Sequence, residues 1–212
     1  MSSILPHDYP TPMDLIGNTP LVKLDKICPN PNVTLLAKLE FYNPTFSIKD
    51  RMVAHILEQA KKKGLINAST TIVEASSGNT ASAIAMMSAV EQRPAIITMP
   101  DSTSKEKVQL AKLYGAKVVL CPAQAPQTSP DHYTNKARDI VESIPNSFMP
   151  DQYNNHDNIK AHYLSTAKEI MDQTHGHIDH VIGCASTGGT LSGIGQFIKE
   201  HSPNTTITIA DS

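Results

Sequence analysis

The chain has 212 residues, 40% of them hydrophobic and 18% charged, enough for one large or two small packed domains and too apolar for wholesale disorder. Lys+Arg number 18 against 20 Asp+Glu, a formal net charge of −2 that leaves no basic footprint for nucleic acid and no polybasic surface for acidic lipid. Cys28, Cys121 and Cys184 form neither a Cys-x-x-Cys pair nor a disulfide framework, and no stretch approaches the roughly 20 apolar residues that span a bilayer. The expectation is a soluble, cytoplasmic protein of small-molecule chemistry.

The N-terminal stretch has no basic region followed by an apolar run, so no secretory signal is expected. The first predicted strand is TLLAKLE (34–40). Val53, Ile56, Leu57 and Ala60 then recur at helical spacing, with Gly64 as the stop. TIVEA (71–75) reads as a strand, 81–90 as an apolar helix and AIITM (95–99) as the next strand. A helix over 104–114 ends at Gly115, and KVVLC (117–121) resumes the sheet. The proline-rich segment 122–131 has little periodicity and reads as a surface loop. Helices over 133–144 and 159–173 follow, then a strand over 180–184, a helix over 191–201 and a strand over 205–210. This alternation predicts an α/β fold, a parallel sheet covered by helices. The last strand reaches the end of the sequence uncovered, so either the domain is completed elsewhere or the sequence is a fragment.

Three segments hold residues suited to chemistry. In NPTFSIKDR (43–51), Ser47 followed by Asp50 fits a capping box and predicts a helix start at Ser47. Lys49 then stands in the first turn, where the helix dipole disfavours a cation and raises the share of neutral, nucleophilic amine. In SSGNT (76–80), between a strand and a helix, free backbone N–H groups and side-chain hydroxyls suit a carboxylate. In CASTGGT (184–190), Gly188, Gly189 and Thr190 suit a phosphate nest, while matching neither nucleotide-binding glycine motif. Alone, the first reads more readily as a surface lysine, and the other two as readily as ordinary capping turns. Together, two anion cradles and one oddly placed lysine are what a phosphate-bearing aldehyde cofactor and an amino-acid substrate require. His175, His177 and His180 lie in a polar loop without a ligand spacing, so no metal is expected.

In order and spacing these segments resemble the fold-type II pyridoxal-phosphate family of cysteine synthases and cystathionine β-synthases. LIGNTPLVKL (15–24) is similar to its opening motif, NPTFSIKDR to its cofactor-lysine motif, SSGNT to its asparagine loop and ASTGGT to its phosphate loop. Residues 99–116 and DQYNNHDNIKAHY (151–163) also look familial, the latter resembling the cystathionine β-synthase branch. The resemblance implies pyridoxal 5′-phosphate held by Lys49 as an internal aldimine, with Lys49 later moving the substrate α-proton. It further implies that Asn79 bonds the cofactor's ring oxygen. Ser186, Thr187, Gly188, Gly189 and Thr190 would cradle the phosphate, and Ser76, Ser77, Thr80 and Gln152 would hold the substrate carboxylate. The implied reaction is β-replacement on a serine-type amino acid through an aminoacrylate, making cysteine or cystathionine. The implied architecture is two three-layer αβα domains with mostly parallel sheets. A large domain would comprise 13–48 and 156–212, and a smaller mobile one, 49–155, would close over the substrate. The family is usually dimeric, so a homodimer is expected.

The pattern also departs from the family. Phe46, Ala81 and Ser186 each stand where the family usually has glycine, and Ser76 where it has threonine. A Ser186 at positive φ would be strained. Serine-rich loops of this kind also resemble the siderophore-linked 2,3-diaminopropionate synthases, and a deaminating serine/threonine lyase is another family activity. Family members continue further, so the C-terminal part of the large domain, with its pyridine-nitrogen contact, is expected to be missing. A truncated, non-catalytic relative that binds a partner is the alternative from another functional class.

Overall fold

A computed structural model describes residues 9–210; the expectations placed on the extreme N-terminus (1–8) and on 211–212 lie outside the described residues. A 3₁₀ turn (Pro12–Leu15) leads to β1 (Leu21–Lys23), which pairs antiparallel with β2 (Leu36–Lys38), Val22 opposite Ala37. The predicted strand over 34–40 is shorter than expected because Glu40–Tyr42 turns as a 3₁₀ helix. Helix α1 (Lys49–Lys62) follows and buries Met52, Val53, Ile56, Leu57 and Ala60, the stripe that 3.6 residues per turn brings onto one face.

Then come β3 (Thr71–Ala75), α2 (Asn79–Val90), β4 (Ala95–Pro100), α3 (Lys105–Leu113), β5 (Lys117–Cys121), α4 (Tyr133–Ser143) and β6 (Ser147–Phe148). The four strands form one parallel sheet in the order β5-β4-β3-β6. Helices α1, α2 and α3 cover one face around Ile72, Ile84, Met87, Ile97 and Met99, and α4 covers the other around Val73, Ala75 and Ala137. This is the expected three-layer αβα arrangement. Helix α2 is apolar nearly all round because it is buried nearly all round. The stretch expected as a loop, 122–131, contains no helix or strand.

The helix predicted over 159–173 is real but composite: α5 (Asp157–Ala161), a π-helical turn (His162–Thr166) and α6 (Ala167–Gln173). Strand β7 (His180–Gly183) pairs parallel with β8 (Thr206–Ile209), joined by α7 (Gly189–His201), which packs on the π-helical turn and on α5 and α6. Among the described residues no helix is long and apolar enough to cross a membrane.

Candidate active site

The loop before α1 is tied down residue by residue. The Asn43 side chain accepts the Gly17 N–H (2.9 Å) and donates to the Glu40 carbonyl (2.8 Å) and Glu40 Oε2 (2.9 Å). The predicted capping box does not form. Helix α1 begins at Lys49 with Ile48 at the N-cap, and the Ser47 hydroxyl accepts only the Lys49 N–H, at 3.2 Å. The reason is that the buried Asp50 carboxylate, which the box needs, is taken by the Thr45 N–H (2.7 Å) and the Thr45 hydroxyl.

Lys49 nevertheless stands in the first turn, as expected. It is half-buried, and burial lowers the basicity of its amine. Two residues on, Arg51 anchors this end of α1. Its guanidinium donates to both oxygens of Glu40 (2.7 and 2.9 Å) and both of Glu169 (2.6 and 2.7 Å), while Lys38 Nζ also reaches Glu169, at 2.8 Å. Phe46 has φ +62° and is 74% exposed, so the position where the family usually has glycine is left-handed here, although it carries an aromatic side chain.

The glycine-rich turn lies between β7 and α7. Gly188 is the N-cap at φ +79°, and Ser186 is not among the residues with positive φ, so the strain foreseen for it is absent. Thr187 Oγ1 accepts from Asn158 Nδ2 (3.0 Å) and from the Gly189 N–H (3.4 Å). Thr190 Oγ1 bonds His162 Nε2 (3.2 Å), whose Nδ1 bonds Thr166 Oγ1 (2.9 Å). Burial first, then the charges of Lys49 and Arg51, hold the His162 pKa down to about 3. A neutral ring has one donating and one accepting nitrogen, which suits its two hydroxyl partners.

Lys49, Ser186, Thr187, Gly188 and Thr190 line a single cavity of ≈ 690 Å³, walled on its apolar side by Ile48, Leu191 and Ile194. The cavity brings together a lysine of lowered basicity and the amino end of a 13-residue helix with a left-handed glycine at its cap. An amine of lowered basicity and the free donors of a helix start, in one space, fit a phosphate-bearing aldehyde.

The SSGNT turn forms a second cluster. The Ser76 hydroxyl accepts the Gly78 N–H (3.2 Å), and Thr80 Oγ1 donates to Gln152 Oε1 (2.7 Å), with Ser76, Thr80 and Gln152 all buried. Ser77 is half-buried, and Asn79, the first residue of α2, is exposed. None of these residues lines the Lys49 cavity. The link is Asn158, which donates both to the Gln152 carbonyl (2.9 Å) and to Thr187 Oγ1 (3.0 Å). A Cβ on Gly189 would sit 2.2 Å from Asn158 Oδ1, so α7 can approach Asn158 this closely only with glycine there.

Asn158 and His162 were not singled out from the sequence. The available signal was a polar stripe, Asn158, His162 and Thr166 at spacings of four, on the face of a helix that is otherwise buried through Ala161 and Ala167. His175, His177 and His180 are exposed, the first two in the expected polar loop and His180 as the first residue of β7.

Comparison with known proteins gives one consistent result. The family model described as pyridoxal-phosphate dependent enzyme matches residues 12–212. The chain is 42% identical to a cystathionine β-synthase of Apis mellifera, over 95% of this chain and 40% of that protein. It is 38% identical to a probable cysteine synthase of Bacillus subtilis, over 93% of this chain and 64% of that protein. Among solved structures, O-ureido-L-serine synthase superposes with a TM-score of 0.90 at 32% identity, covering 96% of this chain and 64% of that one. A hydrogen sulfide-producing enzyme from Fusobacterium nucleatum superposes at 0.85 with 38% identity, covering 93% and 64%. The chain thus spans 40% of the length of the Apis mellifera relative and 64% of that of the Bacillus subtilis one.

Proposed function

The chain belongs to the pyridoxal-phosphate-dependent enzyme family, and on that premise we propose that it carries the cofactor on Lys49 and catalyses β-replacement on a serine-type amino acid, making cysteine or cystathionine. The observation that carries this reading is the shared cavity: a half-buried lysine of lowered basicity faces the amino end of α7 and its Gly188 cap.

The residues divide the work. Lys49 would hold the cofactor through its aldehyde carbon, and the same amine, once released from it, would move the proton at the substrate Cα. Neutral amine is needed for both tasks, and burial shifts Lys49 toward it. Ser186, Thr187, Gly188, Gly189 and Thr190 hold the phosphate with hydroxyl and backbone donors at the positive end of the α7 dipole. Asn79 bonds the ring oxygen and keeps the ring from turning. Ser76, Ser77, Thr80 and Gln152 take the substrate carboxylate at the start of α2. When bound, the cofactor supplies the electron sink that makes the Cα–H bond acidic; the protein supplies orientation and electrostatics. In this reading 49–155 acts as a small mobile domain against 13–48 and 156–212, closes over the substrate to exclude water, and works in a cytoplasmic homodimer.

The test is spectroscopic and then chemical. Purified protein should show the visible absorbance of a lysine-bound cofactor, and Lys49→Ala should lose it. Absorbance retained in that variant rejects the lysine. Serine or acetylserine with sulfide or homocysteine should give cysteine or cystathionine, whereas α-keto acid released without any thiol would assign the deaminating reaction instead.

A further inference from the structure

Glu74 is the one carboxylic acid in the central strand, and it is 1% exposed. Its position is explained by the edge of the sheet. Along β3 the N–H of Thr71 points toward β6 and bonds the Asn146 carbonyl (2.9 Å), while the N–H of Ser76 points the other way, to the Thr98 carbonyl of β4 (3.1 Å). The N–H of Ala75 therefore faces the β6 side. Strand β6 has only two residues, opposite Thr71 and Ile72, and has ended before it can serve Ala75. Glu74 supplies the missing acceptor itself, its Oε1 taking the Ala75 N–H at 3.0 Å.

The same carboxyl faces the turn that follows β6. The amides of Gln152 and Asp151 lie against it and favour its charged form, while its Oε2 lacks a well-formed partner. Asp151 is held at φ +49°, a left-handed conformation that a non-glycine residue keeps only when its surroundings impose it. The next residue, Gln152, carries the side chain that accepts from Thr80 (2.7 Å) and the carbonyl that accepts from Asn158 (2.9 Å).

We propose that Glu74 is a positioning residue for the substrate-carboxylate end of the site: standing where β6 has ended, it accepts the Ala75 N–H and braces the Asp151–Gln152 turn beside it, and so keeps Gln152 on Thr80. The inference rests on the reading that the SSGNT turn and Gln152 receive the substrate carboxylate. Glu74 touches neither substrate nor cofactor in this scheme; it acts through Gln152. Burial and the nearby Asp151 charge raise its pKa to about 8, so at neutral pH it acts mainly as a neutral acid, which glutamine imitates.

The experiment compares cofactor-loaded wild type with Glu74→Gln, Glu74→Met and Gln152→Ala, reading KM for the amino-acid donor, kcat, cofactor absorbance and Tm. Glu74→Gln keeps the acceptor oxygen and should leave KM within about threefold. Glu74→Met keeps the volume but leaves the Ala75 N–H without its acceptor and the Asp151 and Gln152 amides without the carboxyl beside them. It should raise the donor KM about tenfold or more, matching Gln152→Ala, with kcat within about threefold and cofactor absorbance unchanged. If Glu74→Met does not fold, Glu74→Asp, whose carboxyl is drawn back by one methylene, should show the same KM-only defect. A Tm loss without a KM change in either variant would overturn the proposal and make Glu74 a purely structural patch. If Gln152→Ala itself leaves the donor KM unchanged, it is the carboxylate-site reading that fails, and the proposal falls with it.

Discussion

Replacing Glu169 by glutamine tests how the lysine end of the site is held. Glu169, on α6, accepts from both Arg51 Nη atoms (2.6 and 2.7 Å), from Lys38 Nζ (2.8 Å) and from the Asn18 N–H (2.9 Å). It thus joins the segment after the first 3₁₀ turn, β2, α1 and α6. Burial would raise its pKa, but the Arg51 and Lys38 hydrogen bonds outweigh it and bring the value down from 4.5 to about 2. At 1.36 kcal/mol per unit that difference corresponds to roughly 3 kcal/mol, and solvent at the 16% exposed side chain trims it to about 2 kcal/mol. Removing the charge also takes from Lys38 the carboxylate it bonds and leaves Arg51, among the described residues, with Glu40, so about 2–4 kcal/mol is expected at pH 7. Because the folded-state pKa is depressed, the contribution is complete above pH 4.5 and lost as pH falls toward 2. Urea denaturation of wild type and Glu169→Gln between pH 7 and 3 measures it. With a slope of about 2 kcal/mol/M, the midpoints should differ by about 1–2 M at pH 7 and converge in acid. A gap under about 1 kcal/mol at pH 7, or one that stays constant down to pH 3, refutes the argument.

Three further predictions follow from the same geometry. Gly189→Ala drives a Cβ to within 2.2 Å of Asn158 Oδ1, so it should weaken cofactor binding about tenfold or more by dislodging Asn158 from Thr187; unchanged affinity would mean the loop tolerates that shift. Phe46→Gly releases a left-handed aromatic residue with little burial to lose, and should stabilise the protein by about 1 kcal/mol; a lower Tm would show that Phe46 makes contacts of its own. His162 is neutral in the fold down to about pH 3 but protonates at about 6.5 when unfolded, so wild type should lose stability as pH falls from 6.5 toward 3. His162→Gln should flatten that part of the acid profile, and an unaltered slope would assign the acid sensitivity to other groups.

How much of this was legible in the sequence depends on the length scale of the signal. Strands β3 and β5 lie where β-branched runs bounded by turn residues put them, and β4 extends only one residue further, because a short, mostly apolar β-branched run suffices to mark a buried parallel strand. Strand β1 has three residues and β6 two, too short for any periodicity, and both exist only because a neighbouring strand offers partners. The missed capping box teaches the same thing at the scale of one side chain. Ser47 and Asp50 have the right spacing, but Thr45 competes for the Asp50 carboxylate and wins it. Spacing lists which partners are possible; only the folded chain decides among them.

The site follows the same rule. Lys49 and residues 186–190 were legible because each sits at the start of a helix, where chain direction alone aims donors and charge. That Lys49, Ser186, Thr187, Gly188 and Thr190 share one cavity is a tertiary fact. Asn158, His162 and Glu74 were not legible, since each is a polar residue buried inside a regular element, and its use is set by what the element is pressed against. Asn158 faces Gly189, His162 faces Thr190, and Glu74 faces the gap beyond a two-residue strand. Burial without a bonding partner costs about 1–3 kcal/mol per polar group, so residues of this kind persist inside a fold only where the fold supplies partners. A polar residue on an apolar face therefore marks a use set by the fold: Asn158 and His162 reach Thr187 and Thr190 on the segment that would hold the cofactor phosphate, while Glu74 takes the Ala75 N–H just before the turn that would hold the substrate carboxylate.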